Sequence, residues 1–326
     1  MNYNIELIKT QEMFCRESAA ASVARWKNKN YEMMYLNVLG FQFDYQGASN
    51  DENRQIGPYI SAGYSDEDMF EPLKKYHGVE VCKYERLISQ CTIEKLIKEI
   101  KSNIPVGVTY RHPYCDWSKQ KDKTYLLITG YEENIFYCLD VYASDPETKI
   151  LSMQNFERYF VEQKKVKYET YKILPYEVKN VTMNDFIEAL NQSEYVKRDT
   201  LENMREFADF MEANLDFITE EKGYDSWHFI PLLLNITHIL RARCLLSKTL
   251  DYIYNLTYDS IALEASIKFS ELSAKWKVNW ILLQKLKVTR YQKDDQRFRK
   301  MINQFAQNIR KLAMYENDFV VQLRSN

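Results

Sequence analysis

The chain has 326 residues, of which 45% are hydrophobic and 28% charged, enough to build a core in one large domain or two ordinary ones. Lys and Arg total 44 and Asp and Glu 46, so the net charge of −2 gives no general attraction to nucleic acid or to an anionic membrane. No apolar run is long enough to span a bilayer, and Met1-Asn2-Tyr3-Asn4-Ile5-Glu6 lacks the basic-then-apolar order of a signal peptide, so the expectation is a cytoplasmic protein with reduced thiols.

In chain order, the segment Phe14-Cys15-Arg16-Glu17-Ser18-Ala19 opens a predicted helix with the cysteine in its first turn. Residues 31–45 read as helix then strand, 47–63 as a polar loop, 66–76 as a helix and 79–84 as a short strand. Thr92 is expected to cap a helix with Ile93, Leu96, Ile97 and Ile100 at helical spacing. After Pro105 come three predicted strands, 106–110, 125–129 (ended by Gly130) and 135–140. Ser152 caps a predicted helix carrying Phe156, Tyr159 and Phe160, and 168–174 reads as one more strand. Helices followed by a strand meander define an α+β arrangement.

Seven of the 8 glycines lie at or before Gly130 and six of the 7 prolines at or before Pro175. This loss of turn formers sets a boundary near Pro175–Asn180, with a mixed domain over 1–176 and a helical domain over 180–326. Thr182 caps the first helix of that second part, and further helical runs cover about 199–222, 231–254, 260–289 and 294–323. Phe207, Phe210, Met211 and Leu215 fall at three- and four-residue steps, as do Trp276, Trp280, Leu283 and Leu286, so an antiparallel helical bundle is the expected packing.

The chemistry-bearing candidates are few. The six cysteines (Cys15, Cys82, Cys91, Cys115, Cys138 and Cys244) form no C-x-x-C pair and match no zinc spacing. Cys15 stands apart because a thiol at a helix N-terminus faces unpaired N–H groups and the positive end of the macrodipole, both of which favour the nucleophilic thiolate. Asp140 ends the third predicted strand, after the turn Gly130-Tyr131-Glu132-Glu133-Asn134. Phosphate-loop, G-x-S-x-G and H-E-x-x-H motifs are missing from the sequence. His77 is expected at the surface, and His228 and His238 in core or surface roles of the bundle. The basic run Lys285-Leu286-Lys287-Val288-Thr289-Arg290 reads as a solvated helix face or as a surface for an acidic carrier protein.

The order of Phe14-Cys15-Arg16-Glu17-Ser18-Ala19, Ile104-Pro105-Val106-Gly107-Val108, Leu126-Leu127-Ile128-Thr129-Gly130-Tyr131-Glu132 and Phe136-Tyr137-Cys138-Leu139-Asp140 resembles the N-terminal domain of the butirosin biosynthesis protein H family, over roughly residues 8–176. That resemblance implies a papain-like cysteine-peptidase fold followed by a helical region. It also implies an amide-forming acyltransferase of bacterial secondary metabolism, as in antibiotic and nonribosomal peptide clusters. Such an enzyme takes an acyl group from a carrier-protein thioester onto its cysteine and passes it to an amine. No cofactor is implied beyond the phosphopantetheine of the carrier substrate. Cys15 matches the nucleophile and Asp140 the acid that orients the base, while Gln11, shortly before the cysteine, matches an oxyanion donor. The family histidine falls at Thr124, which cannot act as a general base at neutral pH. His112, expected opposite Thr124 across a strand pair, is the candidate replacement. Two alternatives stay open: a non-catalytic relative that binds or assists, and a cysteine hydrolase of peptides or thioesters.

Overall fold

A computed structural model describes residues 3–10, 13–87, 89–111, 115, 117, 123–141, 143, 147–163, 165–175, 179–224, 230–292 and 294–325. The elements in chain order begin with α1 (Cys15–Trp26), β1 (Gln42–Phe43), α2 (Tyr45–Asn50), β2 (Ile60–Ser61), α3 (Asp66–His77), β3 (Val79–Leu87) and α4 (Gln90–Lys101). Then come β4 (Val106–Arg111), β5 (Lys123–Glu132), β6 (Ile135–Asp140), β7 (Lys149–Ser152), α5 (Met153–Gln163) and β8 (Lys165–Ile173). The chain ends in α6 (Met183–Gln192), α7 (Glu194–Lys197), α8 (Thr200–Asn214), α9 (Phe217–Glu220), α10 (Pro231–Thr257), α11 (Ser260–Tyr291) and α12 (Asp295–Arg324). The architecture is therefore mixed α+β with a helical C-terminal region.

The chain divides into two compact units, one of Met1–Tyr31 with Leu73–Lys179 and one of Glu32–Pro72 with Asn180–Asn326. Residues 32–72, which the sequence reading places with the first part, thus cluster with the helical part. In the first unit β3, β8, β4, β5, β6 and β7 form one sheet in that order, each pair antiparallel. Glu133 and Asn134, both at positive φ, make the two-residue turn between β5 and β6, a conformation that favours the right-handed strand twist. A bulge at Ile128/Gly130 leaves Thr129 outside the ladder, and its carbonyl accepts the Tyr3 N–H at 2.8 Å. Val106, Val108, Tyr110, Leu126, Ile128 and Phe136 are wholly buried.

Local expectations change: 47–63, expected as a loop, holds most of α2 and all of β2, and the helical run expected over about 199–222 is broken between α8 and α9. Ser89, not Thr92, caps α4: its Oγ accepts the Thr92 N–H at 3.2 Å. His77 is buried, not at the surface, and that burial, with the charge of Lys29 second, brings its pKa down to about 4.

In the second unit α10, α11 and α12 pack along their lengths, with α8 on α12. The fully buried Arg243 pairs with Glu316, which also accepts the Trp276 Nε1–H at 3.3 Å. Arg243 donates to the Gly40 carbonyl at 2.8 Å as well. A paired, hydrogen-bonded ion pair avoids the cost of an isolated buried charge. The segment 32–72 fills the same core: Phe41 lies against Phe207 and Trp276, and Phe43 against Phe207 and Phe210.

Candidate active site at the head of the first helix

Cys15 is the first residue of α1 and half-buried. Phe14 is in extended backbone (φ −81°, ψ 168°), and its N–H donates to the Glu17 Oε2 at 3.2 Å. The helix start thus exposes a thiol to the positive macrodipole end and also holds a buried carboxylate, Glu17, whose negative charge opposes part of that field. Arg16, next to the thiol, is committed to Glu169 on β8.

Glu169 is the hub of a buried cluster that the sequence reading did not identify. It accepts from Arg16, from the Tyr125 hydroxyl and, at 3.3 Å, from the Tyr171 hydroxyl; the two hydroxyls stand 2.7 Å apart. Burial first, and neighbouring negative charge second, push both tyrosines well above their ordinary range, so they stay neutral donors. Gly107 lies across from Glu169 in the β4–β8 register, and a Cβ there would sit 2.6 Å from the Tyr125 Cζ. A strand glycine beside a run of apolar residues was the one available signal of a close approach.

Asp140 is buried at the end of β6, and its Oδ2 accepts the Trp117 indole N–H at 2.9 Å. Cys115 and Asp140 both lie close enough to the buried Cys138 to add to the effect of burial in pushing its thiol well up. Asp140 is registered opposite Leu126, so it shares a sheet face with Leu126. Tyr125 faces the other way, and with it Glu169 and the Arg16 guanidinium. The residue after Cys15 is therefore anchored to the sheet face opposite that of Asp140.

The expected pairing of His112 with Thr124 is corrected by the strand register, in which Thr124 lies opposite Tyr110 and Arg111 opposite Lys123. The register is thus offset by two residues from the expected one, and the described ladder ends at Arg111 and Lys123. His112, Gln11 and His228 themselves lie outside the described residues. The remaining described histidine, His238, is half-buried on α10, where burial first and Arg241 second lower its pKa to about 4. In the basic run, Lys287 meets Glu221 at 2.5 Å and Arg290 meets Asp216 at 3.1 Å, so this part of α11 is tied to carboxylates of its own unit.

Among the described residues no group of three or more His, Cys, Asp or Glu side chains is placed to hold a metal ion. No helix among them is long and apolar enough to cross a membrane. No family model matches the chain, and no curated protein matches it.

Proposed function

We propose that the chain is a papain-like, cysteine-dependent acyltransferase that forms amides in secondary metabolism. The observation that carries this reading is the placement of Cys15 at the first position of the twelve-residue helix α1, half-buried, in the same unit as an antiparallel sheet. The Cys15 Sγ would attack the thioester carbonyl of an acyl group on a carrier's phosphopantetheine arm. The carrier thiol leaves with a proton, and the acyl-cysteine is then opened by an amine, which yields an amide and returns the proton to Sγ. The Arg16–Glu169–Tyr125 cluster supports the reading by fixing the turn that carries the thiol.

A second reading, a non-catalytic relative that binds or assists, is favoured by one specific geometry: position 124 is a threonine registered against Tyr110, and Asp140 lies on the reverse face from the Arg16 anchor. One experiment separates the two. The protein is incubated with an acyl-pantetheine thioester and an amine, and Cys15 is followed by intact mass and iodoacetamide kinetics. The acyltransferase reading expects a mass gain on Cys15, its loss in Cys15→Ala, and alkylation faster than that of a free cysteine peptide at pH 7. Alkylation at the peptide's rate with no acyl adduct leaves only the second reading. Release of free acid without amide would instead mark a hydrolase.

A further inference from the structure

The face of α11 that points away from its own bundle carries a row of exposed apolar residues, interrupted by Ser270 and Lys285. Ile267, Val278, Ile281 and Val288 are each between 40% and 58% exposed, and Ala274 is exposed among them. At 100° per residue these five positions fall within one stripe of the helix. The stripe borders two depressions between α11 and α12. One, of about 240 Å³, is lined by Ile267, Phe319 and Leu323, with Glu264 and Lys268 also in its wall. The other, of about 400 Å³, is lined by Val278, Leu312 and Tyr315, with Lys275 and Lys311 on its rim. Ile267 and Val278 are eleven residues apart, so the depressions follow one another by about three helical turns, ~16 Å.

Charge gives the stripe a sign. From 274 to 291 the chain has five cations, Lys275, Lys277, Lys285, Lys287 and Arg290, and no acid. The acids of the groove, Glu264 and Glu271, lie about one to three turns before this stretch, and Glu271 is taken up by Lys268 and the Tyr315 hydroxyl. Lys287 and Arg290 are paired on the inner side. Lys277, Lys285 and Lys311 are exposed and have no ion pair among the described residues.

We infer that the α11–α12 groove is a docking site for an acidic amphipathic helix of a partner protein. The partner's apolar side chains, two of them three turns apart, would seat in the two depressions, and its carboxylates would face Lys275, Lys277, Lys285 and Lys311. Charge complementarity selects this occupant. A parallel second copy would set this acid-free stretch against itself, at a repulsive cost. An anionic membrane is not favoured by charge overall, since the chain carries a net charge of −2. The inference rests on the second unit and is independent of the Cys15 chemistry.

The test uses the full chain and a fluorescein-labelled, stapled helical peptide of about twenty residues, with leucines on one stripe and glutamates flanking it. Fluorescence anisotropy is expected to show binding that weakens with salt and is at least about ten-fold tighter than that of a glutamine-flanked control. The triple variant Lys277→Glu, Lys285→Glu, Lys311→Glu should weaken binding about ten-fold or more, and Val278→Asp should do the same by spoiling the apolar stripe. Because all four positions are exposed, the variants should keep the parent circular dichroism and melting temperature; Lys222→Glu, elsewhere on the surface, should leave binding unchanged. No binding of the glutamate peptide, equal binding of the glutamine control, or indifference to both variants overturns the inference. So does a Val278-dependent dimer in sedimentation without the peptide, or binding of phosphatidylserine vesicles that is lost in the same variants.

Discussion

At the scale of single residues, Gly107 is held to glycine by a side chain. Its missing side chain is the space into which Tyr125 extends to reach Glu169, and Glu169 in turn holds Arg16 beside Cys15. A buried carboxylate is tolerable there because three donors converge on it. Gly107→Ala would force Tyr125 off its rotamer and separate donor from acceptor, so we expect a loss of about 2–3 kcal/mol, in the range of overpacked cores. Urea denaturation measures it: a midpoint unchanged from the parent would show that Tyr125 moves aside without cost. The sequence names every member of this cluster but not their meeting. Arg16, Gly107, Tyr125 and Glu169 sit on four separate elements; the strand registers bring the last three together, and the ion pair to Glu169 adds Arg16 from α1. Cys15 was legible for the opposite reason, since its environment is set by a helix start that local pattern reveals.

At the scale of elements, two buried ionisable groups give the units pH dependences of opposite sign. His77, at the end of α3, has an ordinary pKa of 6.5 and about 4 when folded. Between those values the unfolded chain binds more protons than the native one, so stability is lost as pH falls from 6.5 towards 4. At 1.36 kcal/mol per pH unit the contribution is at most about 3 kcal/mol. Glu220, which ends α9, is pushed from 4.5 to about 7 by burial, against the lowering effect of the Ile56 and Gly57 amides it accepts from. There the native state holds the extra proton, and stability is lost as pH rises from 4.5 through 7. His77→Gln should therefore flatten the pH dependence of first-unit unfolding on the acid side. The cleanest check is the His77 imidazole in an NMR titration of the parent; a shift centred near 6.5 in the folded protein would contradict its burial. Position 77 misled the sequence reading because Lys74, Lys75 and Gly78 surround it with surface signals, while its burial comes from tertiary packing. Where only local chemistry decides, the elements were readable: β6 spans the six residues expected of it, and Thr182 does cap α6 through Asp185.

At the scale of the whole molecule, the division of the chain is discontinuous, and periodicity cannot show that. The loss of Gly and Pro after Pro175 marks where the helical run begins, but not that residues 32–72 leave the first unit to join it. The physical reason is visible in what 32–72 contributes to the second unit. Phe41 and Phe43 complete an aromatic core with Phe207 and Trp276, the Gly40 carbonyl caps the buried Arg243, and the backbone of Ile56 and Gly57 solvates Glu220. Gly57 is packed so closely on Leu232 that a Cβ would lie 2.9 Å from the Leu232 Cα. A fragment cut where the sequence alone suggests, 180–326, would lose all of these at once. It would expose Phe207 and Trp276 and leave Arg243 and Glu220 short of partners, each a multi-kcal/mol penalty against a typical net stability of about 5–15 kcal/mol. We expect 180–326 alone to keep helical far-UV circular dichroism but to bind a hydrophobic dye and melt without a cooperative transition. Joining 32–72 to 180–326 through a Gly/Ser-rich linker should restore a single cooperative melt and remove dye binding. Cooperative folding of 180–326 by itself would mean that 32–72 is laid on a core already complete, and the helical part would then be a domain of the kind its composition first indicated.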